Sequence, residues 1–118
     1  MRSIVIALAL AALAAVPARA EFDRITEESA FRDTVAGKTL KRTLISLQVR
    51  PDGAITGTGG MWDVTGRCNW REGYFCREMS WRDRSFGMNC QEVRVSGDRI
   101  RFTADRGQGD SAEFRLTR

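Results

Sequence analysis

The clearest structural signal in this chain is residues 92–103, Glu92-Val93-Arg94-Val95-Ser96-Gly97-Asp98-Arg99-Ile100-Arg101-Phe102-Thr103. Apolar and polar residues alternate on both sides of Gly97-Asp98, which is typical of two strands joined by a two-residue loop. This loop pairs Val95 with Ile100 and Val93 with Phe102, so that one face is apolar. Because a slip of one residue would bury charged side chains, the sequence predicts a β-hairpin with this register.

A second hairpin precedes it, with Glu72-Gly73 as a two-residue loop. This loop places Trp70 opposite Phe75 and Cys68 opposite Arg77. A third hairpin follows.

The third hairpin is predicted around Gly107-Gln108-Gly109, taken as a three-residue loop. It would pair Phe102 with Phe114 and Ile100 with Leu116. The loop is rich in glycine, but it joins two strands and opens no helix, so it is not interpreted as a phosphate-binding loop.

Upstream, the residues from Ile25 to Gly37 favour one short helix. Thr26 is the expected N-cap and Gly37 suits the left-handed position after the last turn. Phe31 and Val35 are spaced to pack against the rest of the protein.

One strand is predicted over residues 39–49, followed by a turn at Arg50-Pro51-Asp52-Gly53 and a returning strand. The glycines at 57, 59 and 60 suggest a bulge or sharp corner. The fold is therefore expected to be mainly β: an antiparallel meander of about seven strands, forming a small barrel or strongly coiled sheet, with one short N-terminal helix.

Residues 1–20, MRSIVIALALAALAAVPARA, have the pattern of a cleaved secretory signal peptide: a basic start, a short apolar run and an A-x-A end. We therefore expect residues 21–118 to form a single β-rich domain located in a periplasm or outside the cell. The mature chain would carry 17 basic and 15 acidic residues, because two of the 19 basic residues leave with the signal. This small excess of positive charge does not indicate nucleic-acid binding.

Three cysteines in an exported chain predict one disulfide and one remaining thiol. Cys76 and Cys90 share the outer face of adjacent predicted strands, whereas Cys68 lies on the inner face. The sequence therefore predicts a Cys76–Cys90 disulfide and a buried, reduced Cys68.

The absence of histidine removes the usual general base and the usual zinc ligand. No metal or other cofactor is expected, and an enzyme is the disfavoured interpretation. The enzyme hypothesis that remains is a carboxylate-based hydrolase that uses, for instance, Glu92 and Glu113 on the outer face.

Two groups of residues are candidate binding surfaces. The aromatic residues Trp62, Trp70, Phe75 and Trp81 share one face and form either the core or a pocket for an apolar ligand. The predicted registers also place Arg94, Arg101 and Arg115 in one row, as a candidate anion site or a solvated face.

Four segments resemble a group of small exported alphaproteobacterial proteins that are often automatically named dihydrodipicolinate reductase. The segments are Trp62-Asp63-Val64-Thr65-Gly66, Trp70-Arg71-Glu72-Gly73-Tyr74-Phe75-Cys76-Arg77, Asn89-Cys90-Gln91 and Phe102-Thr103-Ala104-Asp105-Arg106-Gly107. The enzyme of that name has a dinucleotide-binding βαβ unit and uses histidine, and the sequence shows neither. The resemblance therefore implies export and no particular reaction. Gly60-Met61-Trp62 is similar to the G-x-W of lipocalins, which implies only a barrel architecture.

The sequence therefore favours a periplasmic, non-enzymatic module that binds a small apolar or anionic ligand or an envelope partner. The alternative is a structural or stress-related envelope protein with a filled core. No nucleic-acid partner and no transmembrane segment in the mature chain are expected.

Overall fold

The structure is a computed structural model that describes residues 21–118; the predicted signal peptide lies outside this range. In chain order the elements are β1 (Asp23–Ile25), α1 (Glu28–Val35), β2 (Thr39–Arg42), β3 (Ile45–Val49), β4 (Ala54–Gly59), β5 (Trp62–Arg71), β6 (Tyr74–Trp81), β7 (Arg84–Ser96), β8 (Arg99–Thr103), α2 (Ala104–Gly107) and β9 (Ser111–Thr117).

Strands β2 to β9 form a closed antiparallel barrel. Each strand pairs with the next along the chain, and β2 pairs with β9 to complete the circle. The short strand β1 adds to the part of β7 that β6 leaves free, with Ile25 opposite Val93. The predicted mainly β barrel is confirmed, with eight barrel strands in the described residues instead of about seven.

The additional strand arises because residues 39–49 form a hairpin instead of one strand. Leu40 lies opposite Leu47, and Thr43 and Leu44 make the turn. Leu44 takes a φ of 63°, which is uncommon for a residue with a branched side chain, so the local sequence favoured a continuous strand. This turn frees β2 to reach β9 and close the barrel.

Two of the three predicted hairpin registers are confirmed. Trp70 pairs with Phe75, and Val93 pairs with Phe102. At the predicted bulge or corner in β4, pairing with both neighbouring strands runs through Gly57 and Gly59 without a register shift.

The third register was wrong by two residues. Phe102 lies opposite Ala112, and Ile100 lies opposite Phe114. The connection spans residues 104–110, because Asp105 and Arg106 both adopt left-handed φ values near 54°. Asn89 of β7 stabilises this turn: its amide donates to the Asp105 carboxylate at 2.7 Å and its oxygen accepts from the Asp105 backbone N–H at 3.1 Å.

Helix α1 covers one end of the barrel. It begins after Glu27 instead of Thr26, so the predicted cap was wrong, while Gly37 takes the expected positive φ of 67°. Phe31 and Val35 are buried, as predicted, and join the barrel residues in one core. The remaining core side chains come from every strand: Ile25, Leu40, Leu47, Ile55, Val64, Phe75, Val93, Ile100, Phe102, Phe114 and Leu116.

Candidate functional site

A cavity of about 320 Å³ lies at the end of the barrel that α1 covers. Its walls come from α1, from the turn between β3 and β4, and from the C-terminal part of β5. A volume near 300 Å³ is at the lower limit of small-molecule pockets in proteins. The fold therefore leaves room for a small ligand at this end.

The cavity combines an apolar base with a polar rim. Phe31, Val35, Val49, Trp70 and Phe75 supply the apolar surface. The polar rim is made by residues of α1, of the β3–β4 turn and of β5: Glu28, Arg32, Arg50, Asp52 and Asn69. A ligand with an apolar body and a polar edge matches this distribution.

Trp70 fixes α1 over the cavity. Its indole N–H donates a hydrogen bond to the Thr26 carbonyl at 3.1 Å, and its ring stacks on Phe31 with centroids 5.2 Å apart. Phe31 also packs on Phe75 at 5.0 Å. The two predicted aromatic residues Trp70 and Phe75 thus position the helix as well as line the cavity.

The charged residues at the rim already have partners. Arg32 forms an ion pair with Glu28 one helical turn away, at 2.9 Å. Arg50 donates to the Thr56 hydroxyl at 3.0 Å, and the Asp52 carboxylate accepts the Ala54 backbone N–H at 3.0 Å. The opposite charges balance, so this rim does not select strongly for an anion or a cation.

Cys68 is the free thiol, as predicted, but it lines the cavity and is only half-buried. The prediction of full burial was wrong because Cys68 packs against the core on one side and borders the space beneath α1 on the other. Partial burial raises the pKa of the Cys68 thiol; Arg67 and Arg32 act in the opposite direction and do not cancel the effect. The thiol is therefore accessible from the cavity and mostly protonated at neutral pH.

The predicted disulfide between Cys76 and Cys90 is confirmed, and it joins directly opposed residues of β6 and β7. Cys76 is fully buried although it lies on the outer face. The β8–β9 connection covers this part of the face: Arg106 lies over the Tyr74 ring at 5.6 Å, and Gly107 lies against Glu92. The connection thus shields the Cys76 side of the disulfide, whereas Cys90 is only partly buried.

The other two predicted aromatic residues lie at the opposite end of the barrel. Trp81 donates to the Gly59 carbonyl at 2.7 Å and meets Trp62 edge to face at 5.8 Å. Trp62 is 45% exposed, and Arg82 stacks on it at 4.1 Å. The structure therefore divides the predicted set of four aromatic residues into two pairs at different ends.

The three predicted arginines do not form one row. Arg94 lies opposite Arg101, as predicted, but Arg101 faces Glu113, and Arg115 faces Arg99. This difference follows from the two-residue change in register at the third hairpin.

Arg94 and Arg101 are also engaged with carboxylates. Arg94 pairs with Glu92, and Arg101 donates to Glu113 at 3.2 Å and stacks over Phe22 at 3.9 Å. Glu92 and Glu113, the candidate carboxylates of a hydrolase, are therefore each bound to an arginine.

The contribution of α1 and the β3–β4 turn to the cavity was missed by sequence analysis. No sequence pattern identifies Arg32 and Arg50 as cavity residues, because the cavity forms only where the helix is positioned over the barrel end. The one available signal was the spacing of Phe31 and Val35, which indicates a helix that packs on the barrel without showing where.

Within residues 21–118, no cluster of three or more acidic, cysteine or histidine side chains has the arrangement of a metal site. In the same part of the chain, no helix is long and apolar enough to cross a membrane. Comparisons with protein families, with curated proteins and with solved structures find no match to this chain.

Proposed function

We propose that this protein is an exported, non-enzymatic barrel that binds a small ligand in the cavity between α1 and the barrel end. The observation that carries the proposal is the cavity of about 320 Å³, whose base is formed by Phe31, Trp70 and Phe75. The interior of an eight-stranded barrel is either filled by side chains or holds one small ligand. The open space at the α1 end is therefore large enough to serve as a ligand site.

The chemistry of the lining favours a small amphipathic molecule. Aromatic rings offer broad apolar contact, and the balanced charges of Glu28, Arg32, Arg50 and Asp52 suit a neutral or zwitterionic polar group. The histidine-free sequence and the engaged carboxylates of Glu92 and Glu113 support binding without turnover.

The test is native mass spectrometry of the full chain, expressed with residues 1–20 and purified from a periplasm. We expect an adduct that is present under native conditions and lost on denaturation. Cys68→Phe directs an aromatic ring into the cavity and should abolish the adduct, whereas Cys68→Ser keeps the space open and should retain it. A bare chain in the wild type, or an adduct that survives in Cys68→Phe, would contradict the proposal.

Binding of an envelope partner is the second candidate function, because several large apolar side chains are exposed at the other end of the barrel. Leu44, Met61 and Met88 are each more than half exposed, and the Leu44 and Met61 turns are joined by a hydrogen bond from the Gly60 N–H to the Leu44 carbonyl at 2.7 Å. A bare chain in the native spectrum, together with cross-linking to an envelope protein that Leu44→Ser/Met61→Ser reduces, would favour this function.

A further inference from the structure

A second, smaller cavity of about 100 Å³ lies inside the barrel, and two polar side chains enter it. Val49 and Phe75 line both cavities and form the partition between them. Most of the lining is apolar, with Leu40, Leu47, Ile55, Met79, Phe102, Ala112 and Phe114 as the other contributors. Arg77 and Gln91 are the exceptions.

Arg77 lines this apolar space, and its guanidinium has no carboxylate partner among the described residues. Among the described residues, it forms no salt bridge, and its guanidinium donates to the Gly87 carbonyl at 3.2 Å. Partial burial lowers the pKa of Arg77, and no neighbouring charge offsets that effect. A guanidinium carries five N–H donors, so this half-buried side chain has further donors available for an anion.

Gln91 adds a second polar group to the lining of the same cavity. It is 8% exposed and is the only buried polar or charged residue among those described. Its carboxamide can both donate and accept hydrogen bonds. The cavity therefore presents a cation and a carboxamide to a polar group from outside the chain.

The charge and the volume together limit the chemistry of that group. One guanidinium neutralises one negative charge, and the planar carboxylate matches its paired N–H donors. The Gln91 amide offers one further donor. A cavity near 150 Å³ accommodates a benzene-sized molecule, so about 100 Å³ holds a carboxylate and a few carbon atoms.

The apolar surface continues outward from the cavity. Arg42, which is exposed, lies over the ring of Phe114 at 5.6 Å, and Phe86, opposite Met79, is 43% exposed. A short alkyl chain leaving the cavity would contact this surface. The exposed arginine adds positive charge near the entrance.

We propose that the barrel interior is a binding site for an organic monocarboxylate, whose carboxylate is held by Arg77 and Gln91 and whose short apolar body contacts Met79, Phe102 and Phe114. This site is separate from the α1-end cavity and does not depend on its function.

The test measures hexanoate binding to the purified protein, expressed as the full chain, by titration, with 1-hexanol and palmitate as companion probes. We expect hexanoate to bind and 1-hexanol, which lacks the charge, to bind at least tenfold more weakly. Tighter binding of palmitate than of hexanoate would identify a fatty acid as the source of the carboxylate, and weaker binding would identify a short-chain acid. No binding of either acid would overturn the proposal.

Two substitutions locate the site. Arg77→Met keeps the length of the side chain, removes its charge and should weaken hexanoate binding about tenfold or more. Arg115→Met, at an exposed arginine outside both cavities, should leave the affinity unchanged. Equal affinity in the wild type and Arg77→Met would overturn the proposal; if Arg77→Met does not fold, the comparison of hexanoate with 1-hexanol on the wild type decides it.

Discussion

At the level of single residues, exposure depends on what packs beside a strand as well as on which face a residue occupies. Cys68 has inward parity yet is half-buried, because it borders the cavity beneath α1. Cys76 has outward parity yet is fully buried, because the β8–β9 connection covers its surroundings. Alternation predicted the face of each side chain correctly, and the tertiary contacts determined its accessibility.

The Cys68 thiol gives a pH-dependent prediction. Because burial raises its pKa, the thiolate fraction at neutral pH is below that of an unfolded cysteine, so alkylation by iodoacetamide should be slow and should accelerate at alkaline pH. The measurement is the alkylation rate of folded and urea-unfolded protein from pH 7 to 10, with the disulfide intact. A folded-state rate equal to the unfolded rate at pH 7 would contradict the assigned environment.

The same shift affects stability. A thiol whose pKa is higher in the folded state favours folding while it is protonated, and this contribution is lost as the pH rises from the ordinary thiol pKa through the folded value. The wild type should therefore lose more stability than Cys68→Ser between pH 8 and 10 in urea unfolding. Parallel pH profiles for the two chains would show that the Cys68 pKa is not raised.

At the level of the elements, the two-residue hairpins were predictable and the longer connections were not. Glu72-Gly73 and Gly97-Asp98 are short loops whose register follows from apolar pairing alone. The β8–β9 connection depends on Asn89, which is 16 residues away from Asp105 along the chain. Periodicity describes neighbouring residues, so it does not indicate a turn that a distant side chain stabilises.

The disulfide between β6 and β7 should contribute measurably to stability. Closing a loop of about 15 residues restricts the unfolded chain, which corresponds to about 3 kcal/mol in the chain-entropy treatment. Cys76→Ala/Cys90→Ala should therefore reduce the free energy of unfolding in urea by about that amount. Cys68→Ser, which keeps the bridge, is the control; an unchanged free energy in the double variant would contradict a structural role.

The paired strands β3 and β4 approach each other closely at Gly57. This close approach explains why one residue of the glycine cluster noted in the sequence has no side chain. A Cβ at this position would lie 2.0 Å from the Ser46 carbonyl oxygen, and backbone cannot move aside easily. Gly57→Ala should destabilise the protein by about 1–3 kcal/mol, as other overpacked substitutions do.

Gly87→Ala is the matched control, because a Cβ there meets nothing within 4 Å. It should change the free energy of unfolding by less than about 0.5 kcal/mol. Both changes in the free energy of unfolding are to be measured from urea unfolding curves. Equal effects of the two substitutions would contradict the close approach of β3 and β4.

At the level of the whole molecule, closure of the barrel creates the candidate site. The pairing of β2 with β9 joins the two ends of the meander, and α1 then covers one opening through Phe31, Trp70 and Phe75. The sequence predicted the helix, most of the barrel strands and two of the cavity's aromatic residues. It did not predict the cavity, because a residue that fills a core and a residue that lines a pocket have the same apolar pattern.

The most direct test of ligand binding at the α1 end uses Cys68, which lines that cavity. The alkylation rate of Cys68 is measured for protein freshly purified from a periplasm, and again after unfolding in urea and refolding with the disulfide intact to remove any bound molecule. A ligand in the cavity predicts slower alkylation in the fresh protein, and the rate should fall again when the released small-molecule fraction is returned. Equal rates before and after refolding would contradict the proposed function.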